Sequence, residues 1–419
     1  MPRYKLRYGT SEITAEIPSG NYAGEIAEKK HAENAEGSEL IMRALASPTG
    51  SKRLGDIVSP GEKTVIITSD ISRPTPSSTM LPPVIEELGR GGLSEKDISV
   101  VLALGTHRHH TEAEKRIITG DGIFESGIKI MDSDMDDCIR LGECRHGTPV
   151  DIFRPVAEAD RIICLGNIEY HYYAGYSGGC KAVFPGVSSL DAIRKNHSHM
   201  MDPGAGMGRI GGNPVREDID EAGRTAGIDF ILNVILDENG DIMAAVAGDC
   251  IKAHRRGCEI LDSFRKVSVE AQADIVIVSP GGYPKDINLY QSHKALESTK
   301  GLVRPGGVII WCAKAAEGIG NKVFAEWLLN MTYEEMKAEL DKNFTLGGHL
   351  AYYIAEILQT KDIYLVSDIP VDVSVKQDIK RFPSADEALT AAFEKCGRDS
   401  KIMTVPAGNS IFPVIRNDF

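Results

Sequence analysis

The sequence predicts an α/β protein of two domains, each built on a central, largely parallel sheet flanked by helices. Three observations carry this expectation. Apolar runs of strand length alternate with amphipathic stretches, the pattern of strand and helix in turn. The alternation breaks and restarts once, near Val267–Ala271. At 419 residues the chain also exceeds the usual reach of a single hydrophobic core. The expected division is therefore 1–269 and 270–419.

In order along the chain, Thr64–Thr68, Ile98–Leu104, Arg161–Leu165, Phe230–Leu236 and Ile242–Val246 read as strands of the first half. Leu81–Leu88 and Leu190–Met200 carry helical spacing between them, and the Gly- and Pro-rich Met201–Pro214 reads as a loop. The second half restarts with Asp274–Val278, which runs into Ser279-Pro280-Gly281-Gly282, followed by a helix around Gln291–Thr299. Val308–Cys312 and Ile363–Val366 are its next strands, and Tyr333–Leu340, Leu350–Leu358 and Ala385–Glu394 its further helices. The closing segment 405–419 holds Ile411, Phe412, Val414 and Ile415 and is expected to pack. There is no internal repeat.

Composition narrows the function. A formal charge of −13, from 47 Lys+Arg against 60 Asp+Glu, argues against a broad nucleic-acid or anionic-membrane surface. The first residues hold no apolar core of a secretory leader, and no apolar run approaches the roughly 20 residues that span a bilayer. Eight scattered cysteines without a CxxC pair read as buried free thiols. Together these predict a soluble protein of the reducing cytoplasm.

The densest chemical signal is the run from His171 through Tyr172, Tyr173, Gly175, Ser177, Gly178, Gly179 and Cys180 to Lys181. It follows the Arg161–Leu165 strand, and open α/β sheets bind ligands at strand carboxyl ends. Glycines let backbone N–H groups approach an anion, and Lys181 offers either a charge or, when deprotonated, a nucleophilic amine. A phosphate-binding Walker loop is excluded because Cys180, not Gly, precedes the lysine. A plain Gly-rich connection is the alternative. From a helix starting near Ser189, His197 looks back toward this loop, and imidazole suits nickel, copper, zinc and iron. His199 points elsewhere.

Two more strand ends are polar. Asp70-Ile71-Ser72-Arg73 follows Thr64–Thr68, where Asp70 and Arg73 form either an anion-recognition pair or a structural ion pair. Gly105-Thr106-His107-Arg108-His109-His110 follows Ile98–Leu104. Adjacent His side chains diverge, so one catalytic His with the others solvated is the economical reading. In the second half, Tyr290, Gln291 and Lys294 open a helix, with Gln291 and Lys294 three apart on one face, which reads either as a carboxylate clamp or as a solvated helix start.

These clusters, in this order, resemble the nickel-dependent lactate racemase family. The resemblance covers nearly the whole chain and rests on the H-x3-G-x-S-G-G-x-K pattern with a His sixteen residues later. It implies a racemase or epimerase of a small 2-hydroxyacid and a nickel-pincer cofactor, a pyridinium-3-thioamide-5-thiocarboxylic acid mononucleotide bound covalently to Lys181. It further implies His197 as a nickel ligand and His107 and His171 as catalytic acid/bases. Asp70, Ser177, Gly178 and Gly179 would bind the cofactor, and Arg73, Tyr290, Gln291 and Lys294 the substrate. The first domain would hold the cofactor and the second close the active-site cleft. Proteins that synthesise the cofactor would be transient partners, and homo-oligomers are compatible with the sequence. The family's active-site tryptophan matches neither Trp311 nor Trp327, and Gly347-Gly348-His349 stands in its place. The substrate is accordingly left open among lactate, malate, 2-hydroxyglutarate, aromatic hydroxyacids and sugar acids. Competing readings are a metal-dependent hydrolase using the His cluster, which lacks HExxH or a carboxylate-rich site, and a non-catalytic nucleotide-cofactor-binding protein.

Overall fold

A computed structural model of the chain describes residues 2–28, 35–237, 239–342 and 344–416. It forms two compact units, one of residues 31–263 and one of residues 1–30 together with 264–419. The sequence expectation drew the division at 269 and kept the first thirty residues with the first half. They join the later unit because Tyr22–Glu25 pairs in parallel with Ile402–Val405 at the edge of its sheet.

In the unit of residues 31–263 the sheet runs Ile242–Gly248, Phe230–Leu236, Arg161–Asn167, Thr64–Ser69, Ile98–Ala103, Lys129–Asp132. All neighbours are parallel except the edge strand Ile242–Gly248, which returns antiparallel from Phe230–Leu236. The strands are apolar on both faces because helices cover them: every residue of Phe230–Leu236 is buried. Met80, Leu81, Val84 and Leu88 of the Ser77–Arg90 helix pack on one face, against Ile66, Val100 and Ile163.

Two features of this order position the site. Arg161–Asn167, Thr64–Ser69 and Ile98–Ala103 are adjacent and parallel, so the loops that follow them leave the same edge. The chain moves from Thr64–Ser69 to one side and later returns to the other, so Thr64–Ser69 stands at a topological switch point, where a crevice opens between diverging loops.

Boundaries differ from expectation where local chemistry overrides periodicity. The Ser77–Arg90 helix begins four residues before Leu81, with Pro82 and Pro83 inside it. The second helix ends at Ser198 and closes in a 3₁₀ turn, His199–Met201. Directly after the expected loop, Pro214–Ala226 is a helix that the sequence reading did not name. Asn213 caps it, and Gly227 ends it in the left-handed conformation at φ 80°.

The other unit carries a parallel sheet in the order Lys380–Phe382, Asp362–Val366, Val303–Cys312, Ala273–Val278, Ile402–Val405, Tyr22–Glu25. An N-terminal hairpin, Arg3–Tyr8 with Ser11–Glu16, adds Leu6, Ala15 and Ile17 to its core. Phe412–Ile415 pairs with Lys266–Val269, so the closing segment does pack. No helix among the described residues is long and apolar enough to cross a membrane, and all eight cysteines are free.

Candidate functional site

The three strand ends deliver distinct chemistry. After Thr64–Ser69, Asp70 is buried and Ser72 Oγ donates to its carboxylate at 2.9 Å. After Ile98–Ala103, His107 Nδ1 lies 2.5 Å from Asp70 Oδ2, with its ring 43% exposed. Burial alone would push the Asp70 carboxyl up. The hydrogen bonds from His107 and Ser72 and the charge of Arg73 outweigh it and hold the group below its usual range. An ionised Asp70 fixes the His107 proton on Nδ1 and turns Nε2 outward, the arrangement that suits an imidazole to proton exchange. A cavity of about 300 Å³ opens beside them, lined by Asp70, Arg73, Thr75 and Ser78 among others.

The neighbouring histidines separate as the sequence suggested, with one difference. His109 is exposed near Asp132 at 3.3 Å. His110 is buried rather than solvated: Nδ1 sits 2.6 Å from Asp132, and Nε2 accepts the Ile71 N–H at 3.1 Å. That pattern fixes one neutral tautomer, so His110 ties two loops together. An apolar strand end gives no sequence sign of which His turns inward.

After Arg161–Asn167 comes the Gly-rich loop. Tyr170-His171 pairs with Gly175-Tyr176 in a short antiparallel turn, and Gly179–Ala182 forms a 3₁₀ turn that carries Lys181. His171 stacks on Tyr172 at 5.0 Å, meets Tyr173 edge-on at 4.5 Å, and accepts the Ala174 N–H at 3.3 Å. Burial, then the charges of Lys181, Arg73, His197 and Arg216, hold its imidazole well below the ordinary range. Burial, with Arg216 and Arg73, likewise holds the Lys181 amine well below its usual value. His171 is thus the group that Lys181, Arg73 and His197 all influence.

Ser177 shapes the loop from within, its Oγ donating to the Asn167 carbonyl and accepting the Glu169 N–H, each at 2.8 Å. Gly178 takes a φ of 76°, and a Cβ there would lie 2.8 Å from Asn233 Oδ1. The close approach to Asn233 is productive, because that oxygen accepts the Gly179 N–H at 2.7 Å. Asn233, with Arg216 and His254 beneath the loop, was missed in the sequence. A lone amide inside the apolar run Phe230–Leu236 was the available signal.

His197 lies on the Leu190–Ser198 helix, started by Ser189 accepting the Ala192 N–H. Ile193, Asn196 and His197 turn inward while Asp191, Arg194 and Lys195 turn to solvent. The ring meets Tyr173 edge-on at 5.1 Å, so helix and loop share a contact. His199 instead faces Thr148 and Asp218.

Among the described residues Cys144, Asp218 and Glu221 also bring potential metal-ligating atoms within 4.8 Å of one another. Glu221 already accepts the Arg145 backbone N–H and guanidinium, each at 3.2 Å. Burial pushes the Cys144 thiol up to about 12, and it donates to the Asp218 carbonyl. An arginine neutralises the carboxylate and the sulfur is protonated, a poor set for a metal.

In the other unit, Asn288 caps the Leu289–Thr299 helix by accepting the Gln291 N–H at 2.9 Å. Tyr290 packs edge-on against Phe324 at 5.6 Å, Gln291 is half-buried, and Lys294 is exposed. Gly347-Gly348-His349 meets a tryptophan after all: a Cβ on Gly348 would lie 2.7 Å from the Trp327 indole. His349 is buried, and desolvation pushes it down to about 4. Trp311 is fully buried in the sheet.

Comparison with known proteins places the chain in a family. The lactate racemase N-terminal domain matches residues 8–208, and the lactate racemase C-terminal domain matches residues 268–413. A lactate racemase of Thermoanaerobacterium thermosaccharolyticum is 33% identical over 98% of this chain and 99% of its own. One from Lactiplantibacillus plantarum is 32% identical over 96% and 97%. The structure of the Thermoanaerobacterium thermosaccharolyticum lactate racemase apoprotein superposes with a TM-score of 0.91 at 32% identity, covering 99% of this chain and 100% of that one. A Thermotoga maritima crystal structure, 17% identical with a TM-score of 0.63, shares the fold. The chain belongs to the lactate racemase family and is an isomerase.

Proposed function

We propose that this enzyme racemises a small 2-hydroxyacid of the lactate type, using a nickel-pincer nucleotide attached to Lys181, with His107 and His171 exchanging the hydroxyl proton. The observation that carries the reading is Lys181 on a 3₁₀ turn entered through the left-handed glycines Gly178 and Gly179, its amine held well below its usual value by burial, Arg216 and Arg73. The residues fit such a group. A lysine that is not held protonated can form a covalent bond, and the imidazole of His197 is a suitable nickel donor. Gly178 and Gly179 present the loop backbone, and Asp70 lies at the same sheet edge.

When bound, the cofactor supplies an acceptor for the C2 hydrogen as hydride, chemistry that side chains lack. The chain's own residues do the rest. The hydroxyl proton passes to an imidazole nitrogen as the substrate becomes a planar 2-ketoacid. The other imidazole would give a proton to the ketoacid oxygen once the carbonyl group has turned its opposite face, so that the centre is inverted. Enantiomers present their hydroxyl groups in different directions, so two proton-exchanging groups are needed. Arg73 can hold the carboxylate with two parallel N–H bonds while the carbonyl group turns. Tyr290, Gln291 and Lys294 are the residues of the C-terminal part to which we assign substrate contact. No observation favours the hydrolase reading: His109 and His110 engage Asp132, and the one His/Cys/carboxylate group of ligating geometry among the described residues omits His107, His171 and His197.

The test is production of the chain beside the cofactor-synthesis proteins, followed by intact mass and assay with enantiopure 2-hydroxyacids. An added cofactor mass absent from Lys181→Ala, with interconversion of at least one enantiomeric pair, is the expected result. An adduct retained in Lys181→Ala would overturn the assignment.

A further inference from the structure

Beneath the Gly-rich loop lies a buried cation to which nothing so far gives a role. Arg216, on the Pro214–Ala226 helix, is 0% exposed. Its Nε donates to the Ala174 carbonyl at 3.1 Å and its Nη2 to the Tyr176 carbonyl. Nη1 is 3.5 Å from Asp220 Oδ1, while Asp220 Oδ2 accepts from Arg255. Arg255 in turn donates to His254 Nδ1 at 2.6 Å, and His254 Nε2 donates to the Ser177 carbonyl at 2.8 Å. The carbonyls of residues 174, 176 and 177 are thus all held from below, just before the turn that carries Lys181.

This arrangement does two things at once. It fixes the direction of the loop, because a guanidinium fork admits few geometries. It also places positive charge beneath the loop, where Arg216 and Arg255 both engage the carboxylate of Asp220. Burying a charge costs stability even when it is paired, and a well-packed apolar side chain would avoid that cost. A buried cation is useful, however, where a neighbouring amine must give up its proton before it can attack carbon.

We propose that Arg216 is a positioning residue for Lys181: its guanidinium holds the loop carbonyls of Ala174 and Tyr176 and sets a buried positive charge beneath the turn that presents the amine. The inference rests on reading Lys181 as the attachment point. The charged and titratable groups that face Lys181 are few. Arg216 comes from the helix below, Arg73 from the loop after Thr64–Ser69, Glu169, of opposite sign, and His171 from the Gly-rich segment, and His254 from the Lys252–Arg265 helix. Burial and Arg216 are the two largest influences on the amine.

The experiment is competitive acetylation of the full, cofactor-free chain across pH, with the Lys181 peptide quantified by mass spectrometry against exposed lysines such as Lys96. In the parent chain Lys181 should label with an inflection well below that of the exposed lysines. Arg216→Met should raise the inflection by about one pH unit, roughly a tenfold change in the proton-binding constant of the amine. Asp220→Asn should lower it, because removing the carboxylate unmasks the cations. A merely structural role predicts the same direction for both variants, since each loosens the loop and lets water reach the amine. Should Arg216→Met fail to fold by circular dichroism, Arg216→Lys, which keeps the charge, must retain a low inflection while Asp220→Asn still lowers it. Unchanged inflections, or a rise in both Arg216→Met and Asp220→Asn, would overturn the proposal. A low inflection in a chain that never gains cofactor mass would instead sink the attachment reading and leave the effect of Arg216 standing.

Discussion

His107 and His171 leave strands on either side of Thr64–Ser69, yet their surroundings are opposite. His107 is half in water, with one nitrogen held by an ionised carboxylate 2.5 Å away. His171 is shielded by Tyr172 and Tyr173 and lies near the Lys181 amine and the cations Arg73 and Arg216. The fold therefore makes two chemically identical side chains unequal by two devices. Asp70 orients one imidazole and fixes its tautomer, whereas burial and like charge keep the other neutral. A reaction that runs in both directions through two faces of a planar intermediate needs this kind of pair, each partner able to take the proton that the other gives.

The most severe way to break the comparison is to remove either ring. His107→Ala and His171→Ala should each lower turnover by roughly 10²–10⁴-fold, the usual range for loss of a positioned acid or base. Both directions of the racemisation must suffer, and near-normal conversion of both enantiomers by one variant would remove that His from the scheme. Asp70→Asn should cost less, about tenfold or more, because the ring remains while its orientation loosens. Placed in the His107→Ala background, Asp70→Asn should add little, since the carboxylate acts through that ring. Full additivity in this double-mutant cycle would show that Asp70 works elsewhere.

The smallest effect is on stability. His171 and His254 are held well below the ordinary imidazole value by burial first, and His293 and His349 are pushed down to about 3 and about 4 for the same reason. Each is neutral in the folded chain while its unfolded counterpart still binds a proton below about pH 6.5. The unfolded state therefore binds more protons in that window, and stability is lost as pH falls from about 6.5 toward about 3. Denaturant titrations of His171→Asn should show a shallower acid slope than the parent chain. An unchanged slope would mean that His171 is not held neutral.

Much of this site could be read in the sequence because it lies at strand ends, and strand ends are marked by an abrupt change from apolar to polar residues. Asp70, His107 and Lys181 each follow such a change. What could not be read is which strands are neighbours, since Arg161–Asn167 inserts beside Thr64–Ser69 from almost a hundred residues away. The groups beneath the loop were hidden for the same reason. Arg216 and His254 sit on amphipathic helices among other charged residues, and nothing in the sequence tells which of these turn inward. Tyr22–Glu25 escaped notice because a four-residue half-exposed edge strand has no apolar pattern to show.

The central claim is that the C2 hydrogen leaves and returns as hydride while only the hydroxyl proton meets His107 and His171. Racemisation of a C2-deuterated 2-hydroxyacid in ordinary water by the loaded enzyme tests it directly, read by mass spectrometry of the inverted product. The account predicts that product molecules keep deuterium at C2 while turnover slows. Deuterium lost to solvent at the rate of inversion would mean that a side chain removes C2–H as a proton, and the account would be contradicted.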